Sequence, residues 1–173
     1  MRNLEILVFE RRILLRNLAW YISLAITFFG CIIIEFFFTQ DPTKSAAHGN
    51  EAFIPIVILT PFIMLSLYIT WTVGRKYFAI KPLIRPWLLL FVSALILLVS
   101  IPGEYQLVQN SLEALHGNWN ESHSVIYQKG PFNYYTNSWY FNENVFLLLH
   151  LFVFLCAFFG RKREWLVNEE KQN

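Results

Sequence analysis

Charge is scarce in this sequence. Asp, Glu, Lys and Arg make up 15% of its 173 residues, against roughly 25% in soluble domains. That leaves too little polar surface to wrap a chain of this size in water and excludes an ordinary soluble domain. Cysteine is scarcer still. Cys31 and Cys156 are the only two and both sit inside apolar runs, which excludes the disulfide framework of a small secreted protein. With no CxxC, thiol–disulfide exchange lacks its working pair. There is no glycine-rich phosphate loop, no GxSxG and no HExxH, so no nucleotide site, nucleophile elbow or zinc-protease helix is written in the chain. His48, His116 and His123 share the polar segments with Asp41, Glu51, Glu104, Glu113 and Glu121, but none form a close pair at metal-ligand spacing. No metal and no cofactor are expected, and nothing points to catalysis.

What the chain does have is apolar length. The hydrophobic fraction is 55% and the aromatic fraction 18%. Leu18–Phe38 is a run long enough to cross a hydrocarbon core of ~30 Å in one helix, and too long for the apolar part of a signal peptide, roughly 7–15 residues. Phe53–Val73 is the second span. Pro55 lies in its first turn, and Pro61, near the middle, should free a carbonyl that Thr60 or a neighbouring helix can satisfy. Pro86–Ile101 is the third span, extended at its inner end by Leu83 and Ile84 and closed by Pro102-Gly103, which gives 84–102. Glu143–Gly160 is the fourth. The expected fold is an all-α integral membrane protein with four transmembrane helices.

The segments between are polar or amphipathic. Residues 1–17 place Leu4, Leu7, Val8, Leu14 and Leu15 on one helical face and read as an interfacial elbow before the first span. Residues 103–142 form the largest non-membrane segment. Within it, Tyr105, Val108, Leu112 and Leu115 share a face at helical spacing. Such a face suits a lipid surface or a protein partner. His116-Gly117-Asn118 stops that helix. Two short hairpin strands, Ser124–Gln128 and Asn133–Tyr140, are expected beyond it, among aromatics of the kind that anchor at headgroup depth. The tail is 161–173.

Orientation follows from the basic residues. Arg2, Arg11, Arg12 and Arg16, then Arg75, Lys76, Lys81 and Arg85, then Arg161, Lys162, Arg163 and Lys171 make twelve of the 14 Lys and Arg. All twelve flank one side of the threading. The other side holds Lys44 and Lys129 alone. The bias predicts that both termini are cytoplasmic in a multi-pass protein of a bacterial cell membrane. The basic turn is explained by this topology, so nucleic acid is not implied. Asn120-Glu121-Ser122 matches the glycosylation acceptor pattern on the opposite side.

Two residues able to carry charge stand out within the apolar runs proper. Glu35 is the only formally charged residue within them, three residues from the outer end of its run. His150 lies six or seven residues into the fourth span. An ionisable group in a span is a functional candidate. The two could pair if the first and fourth helices are neighbours. Alternatively, His150 is neutral and bonded to a backbone carbonyl or to a hydroxyl such as that of Thr27.

These features predict a non-enzymatic membrane protein that acts on another membrane protein, as an accessory, regulatory or immunity-type partner, or that forms a homo-oligomer. The alternative is a permease-like component of a transporter with Glu35 and His150 as its intramembrane polar site.

Overall fold

A run of apolar residues in lipid can satisfy its backbone only by coiling. The computed structural model, which describes residues 2–42, 49–80 and 84–160, coils accordingly. Lys44, His48, Lys81 and the 161–173 tail fall outside the described residues. The elements are α1 (Arg2–Phe38), α2 (Phe53–Ile80), α3 (Ile84–Ala114), a short α4 (Val125–Lys129), a 3-10 turn (Asn137–Trp139) and α5 (Glu143–Phe159). Four helical stretches are long and apolar enough to cross a membrane: Asn17–Phe38, Phe53–Ala79, Trp87–Ala114 and Asn137–Phe159. The fold is all-helical, with no strand among the described residues.

Three helices form the centre. α1 packs on α2, α2 on α5, and α1 on α5. α3 is peripheral and packs against α5 and the 3-10 turn. Close approach is made by small residues. A Cβ on Gly74 of α2 would lie 2.8 Å from the Cβ of Ala157 on α5, and one on Gly30 of α1 would overlap the Leu59 side chain of α2. In lipid, helices gain from such contact through van der Waals packing. At the end of the bundle where α2 finishes, Phe78 meets Phe154 and Phe158 with ring centroids 4.9 and 5.4 Å apart, and Trp87 of α3 lies 5.4 Å from Phe158.

The opposite end carries a folded cap with its own core. Leu112, Leu115, Ile126, Tyr134, Tyr135 and Trp139 are buried together, with Leu107, Val108 and Val125 packed against them. The cap is tied to α1 and α2 by amides. Asn137 and Asn50 exchange two hydrogen bonds of 2.9 Å, Asn137 also donates to the Phe38 carbonyl at 3.0 Å, and the Gln40 N–H donates to the Tyr134 carbonyl at 2.8 Å.

The structure corrects three boundaries and one pair of elements. α1 is unbroken from Arg2 to Phe38, so the described part of the expected elbow and the first span belong to one helix. α2 continues to Ile80 and takes Arg75 and Lys76 into its last turns. α3 does not stop at Pro102-Gly103 but runs on to Ala114. Its 31 residues rise about 46 Å, well beyond the ~30 Å apolar core. It ends where His116-Gly117 predicts. The Gly117 N–H bonds the Leu112 carbonyl at 3.0 Å and the His116 N–H bonds the Glu113 carbonyl at 3.2 Å, with His116 at φ 63°. This double bond with a left-handed residue is a Schellman stop. The two hairpin strands are absent. Ser124 caps α4 instead, its hydroxyl accepting from the Tyr127 N–H at 3.1 Å, while Asn133 turns the chain by donating to the Gly130 carbonyl and accepting from the Tyr135 N–H. Local side-chain bonds of this kind compete with a strand ladder.

Candidate functional site

The first turn of α5 is where the polar residues of three helices converge. Asn142 caps that helix, its side-chain oxygen accepting from the Val145 N–H at 2.6 Å. Its amide donates to both carboxylate oxygens of Glu104, at 3.1 Å each, and to the Ser138 carbonyl. The Asn144 amide donates to the same carboxylate at 3.0 Å and to the Ser100 carbonyl at 3.1 Å. Asn144 thus touches α3 on both sides of Pro102-Gly103. Between the two asparagines, Glu143 lies close to Glu35 on α1, and Glu104 is near enough for its charge to act on Glu35 as well. Two carboxyl groups bond only when one of them carries a proton. Glu35 Oε2 is buried and has no hydrogen-bond partner. The cluster therefore gathers carboxyls from α1, α3 and α5 at one level, with the α3–α5 junction held by asparagine amides.

Glu35 and His150 do lie on neighbouring helices, but their hydrogen bonds go elsewhere. His150 is buried, about two turns or 10 Å further along α5 than Glu143. Its Nδ1 faces the Phe146 carbonyl at 2.8 Å and its Nε2 faces the Ser66 hydroxyl of α2 at 2.9 Å. Thr27 of α1 reaches Ser66 at 3.4 Å. Further along, Trp20 Nε1 donates to the Thr70 hydroxyl at 3.0 Å. Ser23, Thr27, Ser66, Thr70 and His150 are all buried, so a polar line runs through the three-helix centre. The carbonyl-and-hydroxyl arrangement is the second of the two foreseen for His150, with Ser66 as the direct partner and Thr27 one step behind. Ser66 was the residue missed; its signal was a small hydroxyl at mid-depth of an otherwise apolar run.

Pro61 deprives the Val57 carbonyl of its helical donor. The Thr60 hydroxyl donates to the Ile56 carbonyl at 2.8 Å, one residue short of it. Cys31 is buried one turn from Glu35, and neither it nor Cys156 is in a disulfide.

The amphipathic face of 103–142 is filled from within the chain. Leu112 and Leu115 are buried in the cap core, Val108 packs against them, and Tyr105 alone stays open at 65% exposure. His123 Nε2 lies 3.5 Å from a Glu121 carboxylate oxygen at the surface, and among the described residues no three metal-ligating side chains gather.

The most open surface belongs to α3. Between Trp87 and Ser111, Ser93 is its single buried residue, and Leu88, Phe91, Leu95 and Val99 stand 65%, 67%, 52% and 71% exposed. Comparison with known protein families, with curated proteins and with solved structures finds no match for this chain.

Proposed function

We propose that this multi-pass protein acts by binding another membrane protein, as an accessory, regulatory or immunity-type partner, and that α3 is the helix it offers. The observation that carries the reading is the one-sided packing of α3. Its span touches the bundle through a strip centred on Ser93, while α1, α2 and α5 pack on one another. A partner helix fits beside α3 without displacing any contact of the fold. In this reading the basic flanks lie in the cytoplasm and the cap lies outside, because Lys and Arg resist translocation.

Two measurements test it. Phe91→Ala combined with Val99→Ala, two exposed positions on α3, is expected to leave membrane insertion intact and to abolish co-purification of the partner in mild detergent. Unchanged co-purification would remove α3 from the interface. Tags on Met1 and Asn173 should resist protease added to intact cells; cleavage would reverse the orientation.

A second reading rests on the Glu35–Glu143–Glu104 cluster. As part of a transporter, three carboxyls on three helices would accept a proton or cation at the cap end. Glu35→Gln would then abolish flux with insertion unchanged, whereas the partner reading expects Glu35→Gln to be silent.

A further inference from the structure

His150 sits where a change of charge is hardest to accommodate, yet its surroundings can satisfy both forms of the ring. The Phe146 carbonyl can only accept, so Nδ1, 2.8 Å away, carries a hydrogen in every state. In the neutral ring Nε2 is therefore the bare nitrogen, and Ser66 donates to it across 2.9 Å. The same hydroxyl lies 2.9 Å from the Ile63 carbonyl. When Nε2 takes up a proton, Nε2–H donates to Ser66 Oγ, and Ser66 turns its own hydrogen to Ile63. Thr27 can donate to Ser66 in either state. The step is one proton added to the Nε2 lone pair and one hydroxyl rotated; no bond is oxidised or broken.

The setting adds to this. The Phe146 ring lies 4.2 Å from the imidazole, centroid to centroid, and an aromatic face attracts a cation. Of the helices packed here, α1 brings Cys31 and Glu35, one and two turns from Thr27 toward the cap. α5 brings Glu143, two turns from His150, and α2 carries no charged residue between Phe53 and Gly74. The nearest charged groups toward the cap are thus acids, while Arg75 and Lys76 of α2 lie about two and a half turns or more beyond Ser66 toward the other end. Burial opposes the charge, but no competing cation stands at this depth among the described residues.

We propose that His150 is a proton-binding site in the centre of the bundle, with Ser66 as a positioning residue whose hydroxyl serves both protonation states. The junction of α1, α2 and α5 can then change charge without orphaning a polar group. This stands independently of what α3 binds.

The test uses the full chain with ¹⁵N-labelled histidine rings in phosphatidylcholine nanodiscs, with His150→Gln to assign the signals. At about pH 8 the ring should be the neutral Nδ1–H tautomer, and acidification toward about pH 4 should convert it to imidazolium with helix content unchanged. Hydrogen bonds to charged groups exceed neutral ones, so Ser66→Ala should lower the imidazolium fraction at a given acidic pH by about threefold or more, and Ser66→Thr should restore it. An Nε2–H tautomer at high pH, a ring that stays neutral until helix content is lost, or an imidazolium fraction indifferent to Ser66→Ala would each overturn the proposal. Should Ser66→Ala fail to fold, the tautomer and titration of the unmodified chain still decide.

Discussion

In the cap, the covered apolar side chains are Leu112, Leu115, Ile126, Tyr134, Tyr135 and Trp139, and beside them Ser124, Asn133, Thr136 and Asn137 are buried in hydrogen bonds. In the bundle, the covered set includes Ser23, Thr27, Ser66, Thr70, Ser93, Ala157 and His150, while Phe29, Phe37, Leu88, Phe91 and Val99 point outward. Both regions bury apolar groups, with Ile34, Ile56, Leu59, Ile69 and Phe78 covered in the bundle; what the bundle adds is a row of small and hydroxylic residues between its helices. Water drives the first arrangement, since apolar area leaves it with a gain. Lipid gives no such gain, and what remains is close approach and polar pairing between helices. The buried hydroxyls of the bundle are therefore the feature that packing between apolar helices accounts for.

Substitutions that probe each rule should separate the regions. The largest effect is expected in the cap. Leu115→Ala empties a fully enclosed site and should cost about 3 kcal/mol, read as faster proteolysis of residues 116–142 with the spans still protected. Asn137→Ala strands the Asn50 amide and the Phe38 carbonyl and should cost about 2 kcal/mol, loosening the same segment in hydrogen exchange. Gly74→Val drives a side chain into Ala157 and should cost about 2 kcal/mol in a detergent unfolding titration, this time in the bundle. Thr27→Val should cost under about 1 kcal/mol, because an interhelical hydrogen bond in lipid averages about 0.6. A loss as large as that of Asn137→Ala would break the comparison. Smallest of all, Leu88→Ala on the outer face of α3 should leave stability within about 0.5 kcal/mol.

The places where the sequence misleads follow from the same division. Apolar runs announce the four spans because backbone satisfaction in lipid leaves no alternative to a helix. Pro102-Gly103 reads as a terminator by rules drawn from water, where a helix past that pair has little to hold it. Here Glu104, Leu107, Val108 and Leu112 hold α3 on its far side through contacts made by residues 126–144. The pattern of Tyr105, Val108, Leu112 and Leu115 correctly marks a buried face, but spacing alone does not say what buries it. Ser124 and Asn133, which convert expected strands into a helical turn and an Asx-type turn, are visible in the sequence only as polar residues next to aromatics. The partners of Glu35 and His150 depend on helix order, and that order is set by Gly74, Ala157 and Gly30 at crossings that no single helix displays.

α3 passes from its contact with α5 into the cap at its least rigid point, Pro102-Gly103. Proline there gives the Leu98 carbonyl no donor, and Gly103 offers no side chain to brace against, with nothing within 4 Å of where a Cβ would stand. Asn144 spans that point like a splint, gripping Ser100 below it and Glu104 above. The angle between the two halves of α3 is therefore braced from the neighbouring helix, by an asparagine that bonds to both of them.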